Sequence, residues 1–176
     1  MSVKGQEFPG YDPRAMKGMA LAYATSNRGA CHMRARPVVD DFNNVSTEGK
    51  ASLVKNTQDL VGAIDSSGIC IFTNAMFPPE HVAAMVDAAC EGDWSLDNLL
   101  LVGERIWNME RRFNLAAGFS QADDRLPDRT VTEAAKAGAG KGDVADLSQM
   151  LGEYYELRGW DEDGVPLPET HARLNL

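Results

Sequence analysis

Long hydrophobic runs are missing: nowhere do about 18 uncharged apolar residues follow one another, so no membrane span is predicted. Residues 1 to 10 lack an apolar stretch behind a basic one, and no secretory leader is predicted either. Cysteine is scarce, and Cys31, Cys70 and Cys90 are odd in number and far apart. That is not the dense, even set of a disulfide-stapled secreted scaffold, and it points to a reducing cytoplasm. Positive charge is in deficit, with 17 Lys plus Arg against 26 Asp plus Glu and a net charge of −9. Such a chain repels phosphate backbones and anionic headgroups, which makes nucleic acid and membranes poor partners.

What is present is an ordinary globular composition. The 176 residues are 44% hydrophobic and 24% charged, enough for one core and too short for several modules. The apolar spacing is helical almost throughout. Leu99, Val102, Ile106, Met109 and Phe113 recur at intervals of three and four, with Glu104, Arg105, Glu110 and Arg111 on the other face. Ser95 reads as its N-cap, Asp97 as a first-turn acid and Gly118 as its stop. Leu53, Val54, Leu60, Val61 and Ile64 form a second stripe ending at Asp65-Ser66-Ser67-Gly68. Pro78-Pro79-Glu80 opens a third helix with Val82, Met85, Val86 and Ala89 inward. Leu147, Met150, Leu151, Tyr154 and Leu157 give another, closed by Gly159, and Arg14 to Ala24 is rich in helix formers. Trp107 and Tyr154 are expected in the core. A short strand is expected only at Gly68 to Thr73, without a partner. The predicted class is therefore all-α, an irregular multi-helix domain with long connections. One of these, Thr132 to Asp143, reads as a flexible surface loop.

Some signals are decoys. Gly138-Ala139-Gly140-Lys141-Gly142 lacks the spacing, the following Ser or Thr and the preceding strand of a phosphate loop. Asp161-Glu162-Asp163-Gly164 has too few ligand positions for calcium and reads as a solvated turn.

Two segments carry chemistry. In Asp65-Ser66-Ser67-Gly68-Ile69-Cys70-Ile71 a carboxylate leaves a helix, a glycine permits a tight bend, and a thiol follows between aliphatics. The plain alternative is a helix end with a buried cysteine serving as a small hydrophobe. Ala24-Thr25-Ser26-Asn27-Arg28-Gly29-Ala30-Cys31-His32-Met33-Arg34 sets a histidine able to exchange protons near neutral pH beside two arginines. The plain alternative there is a loop whose His32 and Arg28 satisfy helix carbonyls.

Taken in order, Glu7-Phe8-Pro9-Gly10-Tyr11-Asp12-Pro13-Arg14, Ala24 to His32, Asp65 to Cys70, Gly103-Glu104-Arg105-Ile106-Trp107-Asn108, Leu126-Pro127-Asp128-Arg129 and Tyr154-Tyr155-Glu156-Leu157-Arg158-Gly159-Trp160 form a series. It resembles the C-terminal part of the tungsten-containing aldehyde:ferredoxin oxidoreductase family across essentially the whole chain. The resemblance implies oxidation of aldehydes to carboxylic acids at tungsten, or molybdenum, held by two pterin dithiolenes, with electrons leaving through a [4Fe-4S] cluster to ferredoxin. It implies that Asp65 hydrogen-bonds a pterin ring, that Ile69 and Ile71 give backbone contacts, and that Cys70 is one thiolate of the cluster. His32 matches the family's proton-moving histidine, and Arg34 falls where a basic residue approaches the pterin or its phosphates.

The family's other three cluster cysteines, its N-terminal pterin-binding sheet domain and an upstream acidic residue precede the segment that Lys4-Gly5-Gln6-Glu7 matches. The expectation is that residues 1–176 form the C-terminal α-helical domain of such an enzyme, with the sheet domain absent. The isolated chain should then hold neither tungstopterin nor a cluster and be inactive. Expected partners are ferredoxin, an aldehyde substrate and the N-terminal part of the same enzyme; a homo-oligomeric state is left open. The competing reading is a non-catalytic helical interaction module that keeps only the packing motifs.

Overall fold

Glycine and proline mark many of the helix boundaries in the computed structural model, which describes residues 1–72 and 76–176. A small antiparallel hairpin, β1 (Ser2–Val3) and β2 (Gln6–Glu7), opens the chain, with Lys4 and Gly5 at positive φ in its turn. Helices follow as α1 (Lys17–Thr25), α2 (Val38–Asn43), α3 (Lys50–Ser67), α4 (Pro79–Ala89), α5 (Leu96–Ala116), α6 (Asp128–Thr132), α7 (Ser148–Arg158) and α8 (Pro168–Leu174). The chain is thus mostly helical, as expected, with long connections. Among the described residues no helix is long and apolar enough to cross a membrane.

The expected strand at Gly68–Thr73 is not formed over its described part. Gly68 caps α3 at φ 77°, and Ile71 and Phe72 lie in 3-10 geometry. A lone extended segment would have no ladder partner for its backbone groups, whereas a glycine in the left-handed region closes a helix cheaply. Thr73 lies outside the described residues.

The central pair is α3 against α5, and it is made possible by two glycines. Gly62 faces Gly103, and a Cβ added to Gly103 would lie 1.8 Å from the Asp59 carbonyl oxygen. Around this crossing Leu21, Val54, Trp107, Met150, Tyr154 and Trp160 make one apolar cluster. Met19, Tyr23 and Leu126 anchor a second, and Ile64, Val82 and Leu99 a third. Trp107 and Tyr154 are fully buried, as the sequence predicts.

The face of α5 differs from its expected phase. Leu99 is buried, but Met109 and Phe113 are exposed, while Glu104 and Arg111 of the expected outer face are buried. The cause is polar pairing inside the molecule. Arg111 donates to the Gly164 carbonyl at 2.8 Å and pairs with buried Asp124 at 2.8 Å. Glu104 accepts from Arg173 at 2.9 and 2.7 Å. Similarly, Met85 and Ala89 of α4 are exposed and only Val82, Ala83 and Val86 turn inward, because α4 packs at the edge of the third cluster. Leu157 of α7 is also exposed, its place in the interior taken by Arg158.

Buried charges bind distant parts of the chain. Arg158, fully buried, pairs with Asp59 and donates to Gln58 Oε1 at 2.8 Å and to the Tyr154 hydroxyl oxygen at 3.0 Å. Lys4 reaches Asp124 at 2.7 Å and the Ala24 carbonyl at 2.6 Å. Burial, only partly offset by Asp124, holds the Lys4 ammonium below the usual lysine range. Asp41 caps α1 by accepting from Gly18 N and Met19 N, and Lys50 joins it at 2.7 Å. The Thr132–Asp143 connection is also more tied down than a free surface loop. Ala135 and Gly140 are buried, Ala135 N donates to Asp143 O at 2.9 Å, and Gly140 approaches Ala15 so closely that a Cβ would sit 2.8 Å from it.

Candidate cofactor-facing site

Val61 and Ile64 turn inward near the end of α3, so Asp65, one position further round the helix, faces out. Its side chain is 42% exposed. Ser66 and Ser67 donate their hydroxyls to the Gly62 and Ile64 carbonyls. Gly68 then reverses the chain, and the Ile69-Cys70-Ile71 segment follows, with Cys70 exposed and both isoleucines half-buried. The plain alternative of a buried cysteine at position 70 is therefore incorrect, and the buried thiol belongs to Cys31. The physical reason is the glycine cap: it lifts the chain off the α3–α5 core just before the thiol.

The loop after α1 brings a second set of groups to the same bend. Ala35 is buried, and its neighbours Arg34 and Arg36 are half-buried. Arg34 Nη1 lies 3.5 Å from Asp65 Oδ2, while Nη2 donates to Glu110 Oε1 at 2.8 Å and Oε2 at 2.7 Å. Its guanidinium also sits over the Trp107 ring, 5.4 Å from the centroid. Arg36 covers Phe72 at 5.1 Å. Asn27 completes the frame, donating to the Trp107 carbonyl and to Glu110 Oε2, both at 3.2 Å. Asn114 donates in turn to the Asn27 carbonyl at 2.6 Å. Asn27, Arg28, Arg34, Glu110, Phe113 and Asn114 line a cleft of about 220 Å³. Beside it, Asn27 Oδ1 is buried with no hydrogen-bond partner among the described residues.

Among the described residues Arg28 and His32 do not satisfy helix carbonyls. Arg28 donates to Cys31 Sγ from Nε at 3.2 Å and from Nη2 at 3.0 Å. His32 is half-buried and its ring neighbours Tyr11, with centroids 5.8 Å apart. Among the described residues no hydrogen bond or ion pair joins His32 to Arg34 or Asp65, so the structure groups Arg34 with Asp65 and leaves His32 on the adjoining stretch of loop.

The donor chemistry at the bend is mixed. Asp65 offers acceptor oxygens, Arg34 offers N–H groups, and Cys70 offers a soft sulfur. Among the described residues no three His, Cys, Asp or Glu side chains converge into a complete metal site. Glu110, Asn27 and Asn114 are members of the frame that the periodicity of α5 assigns to solvent or leaves unremarked. The one signal that could have found Glu110 is its place three residues after Trp107, on the same flank of the helix.

A family model described as "Aldehyde ferredoxin oxidoreductase, domains 2 & 3" matches residues 1–176. A tungsten-containing aldehyde ferredoxin oxidoreductase of Pyrococcus horikoshii is 44% identical over 186 aligned positions, covering 100% of this chain and 30% of the relative. Proteins of the same name from Pyrococcus abyssi and Thermococcus kodakarensis are each 43% identical, again across the whole of this chain. The chain spans 30–31% of the length of these relatives.

Proposed function

Because the chain belongs to the aldehyde ferredoxin oxidoreductase family, we propose that it forms the C-terminal portion of a tungsten, or molybdenum, bis-pterin enzyme that oxidises aldehydes to carboxylic acids. Ferredoxin is the proposed electron acceptor, and the cytoplasm the proposed compartment. The observation that carries this reading is the bend after α3, where an exposed carboxylate and an exposed thiol lie five residues apart on one turn of chain.

The residues present fit the implied groups by their chemistry. A carboxylate is a strong acceptor for pterin N–H groups, and a thiolate is the usual ligand of an iron-sulfur cluster. When bound, the metal and its pterins supply the oxidising centre, and the [4Fe-4S] cluster carries electrons onward. Asp65 would hold a pterin ring, Ile69 and Ile71 would offer backbone groups beside it, and Arg34 would present its guanidinium to the same edge. Cys70 would give one thiolate to the cluster, whose other ligands come from outside the described residues. Conversion of an aldehyde and water to a carboxylic acid releases two protons and two electrons, and His32 would take up a proton at a ring nitrogen and pass it on.

Cys70→Ser tests the assignment in the cofactor-loaded enzyme assembled with this chain. A hydroxyl is a poor ligand for iron, so bound iron should fall well below that of the parent protein, whereas Cys90→Ser should leave it unchanged. Equal iron in the Cys70 variant and the parent would overturn the ligand role.

A further inference from the structure

Sequence periodicity places Glu110 on the outer face of α5, yet it is the most heavily engaged carboxylate at the bend. It accepts two hydrogen bonds from one guanidinium nitrogen of Arg34 and a third from Asn27. Charge-assisted bonds of this kind fix both direction and distance. Arg34 is otherwise a long, flexible side chain whose ordering costs rotamer entropy. Three contacts offset that cost: Glu110 on one side, the fully buried Trp107 ring beneath, and Asp65 at 3.5 Å on the other.

The division of labour within the guanidinium is what matters. Nη2 is committed to Glu110, whereas among the described residues Nη1 has only the long contact to Asp65. A donor nitrogen with spare capacity therefore stands beside a carboxylate with spare lone pairs. A donor next to an acceptor complements a cyclic amide edge, in which a carbonyl oxygen sits beside ring and amino N–H groups. The pterin ring has such an edge.

We propose that Glu110 is a positioning residue for the pterin: it clamps Arg34 so that Nη1 and the Asp65 carboxylate together form one donor–acceptor face for the ring's amide edge. This rests on the reading of Asp65 as a pterin contact given above. Glu110 itself touches no cofactor and acts through Arg34. Asn27 holds Glu110 from behind and is itself held by Asn114 through its carbonyl, so the frame runs from the loop after α1, across α5, to the end of α3.

The test uses the cofactor-loaded enzyme assembled with this chain, in the variants Glu110→Gln, Arg34→Gln, their double and Asp65→Asn. Pterin release from each is timed at fixed temperature, with bound iron and the unfolding midpoint measured alongside. Loss of one hydrogen bond to a charged group predicts roughly ten-fold faster release in Glu110→Gln. Arg34→Gln should release pterin at a similar rate, and the double should be no faster than either single, because the two residues act as one unit. Iron and the unfolding midpoint should stay at parental values. Parental release in Glu110→Gln overturns the proposal, as does a double variant whose acceleration is the product of the singles. Parallel loss of iron and pterin also overturns it, since the residue would then support the fold generally. If Asp65→Asn retains pterin as the parent does, the pterin role of the bend fails; if it does not and Glu110→Gln does, only the clamp fails.

Discussion

Gly103→Ala should weaken the fold sharply, although alanine is the better helix former. In a helix interior the exchange normally gains about 1 kcal/mol from propensity. Here the new Cβ would lie 1.8 Å from the Asp59 carbonyl oxygen and 2.6 Å from its carbon, against ordinary contact beyond 3.4 Å. Both obstacles are backbone, so no rotamer change relieves them. The helices must move apart by something on the order of 1 Å, and close-packed interiors yield poorly to that. Overpacking of this kind costs about 3 kcal/mol or more, which leaves a net loss of roughly 2–3 kcal/mol after the propensity gain. For a chain of this size that is a fall in unfolding midpoint of roughly 5–10 °C. Gly62→Ala is the internal control. Its Cβ would meet Gly103 at 3.5 Å, an ordinary contact, so the propensity gain should survive and the protein should be unchanged or slightly more stable. Urea titration and thermal unfolding of both variants give the comparison. If Gly103→Ala is as stable as Gly62→Ala, backbone contact at the crossing does not hold α3 against α5.

Two further outcomes follow from the buried charges. Asp59→Ala leaves fully buried Arg158 without its carboxylate and should cost about 3–5 kcal/mol, whereas Asp59→Ala combined with Arg158→Met should recover much of that; equal stability of the single variant and the parent would refute the pairing. Glu104 gives a pH dependence. Burial alone would raise its carboxyl above the ordinary 4.5, but the Arg173 hydrogen bond and nearby Lys55 outweigh it and hold the value lower. A depressed folded value means the stabilisation is complete above the unfolded value and lost as pH falls through the folded one. The stability difference between parent and Glu104→Gln should therefore be steady down to about pH 4.5 and close below it. A difference that stays constant down to pH 3 would contradict the assignment.

The helices were largely legible because caps and punctuation act locally. Ser95 accepts from Asn98 N at 3.4 Å as its position predicts, and Pro79, Gly118 and Gly159 mark ends that tertiary structure leaves in place. What periodicity missed is which charged residues go inside. A stripe of Leu, Ile and Phe treats Glu104 and Arg111 as solvent-facing, but their partners are Arg173, Asp124 and Gly164, between 13 and 69 residues away along the chain. No local pattern carries that information. The same holds at the bend. Asp65, Cys70 and Arg34 are visible as chemistry and as a resemblance, whereas Glu110 acquires meaning only when the loop after α1 lies across α5. The hairpin at residues 2–7 escaped for a simpler reason, since two strands of two residues contain no alternation to read.

The buried ion pairs also bear on the order of folding. Asp41 with Lys50 and the start of α1 joins groups at most 23 residues apart, so the α1–α2–α3 segment can organise from local encounters. Lys4 with Asp124 closes a separation of 120 residues, and Asp59 with Arg158 one of 99. Closing such loops is entropically slow, and until it happens each partner keeps its water. During synthesis, the carboxylate of Asp59 must wait for α7 to emerge before the centre of the molecule can become dry.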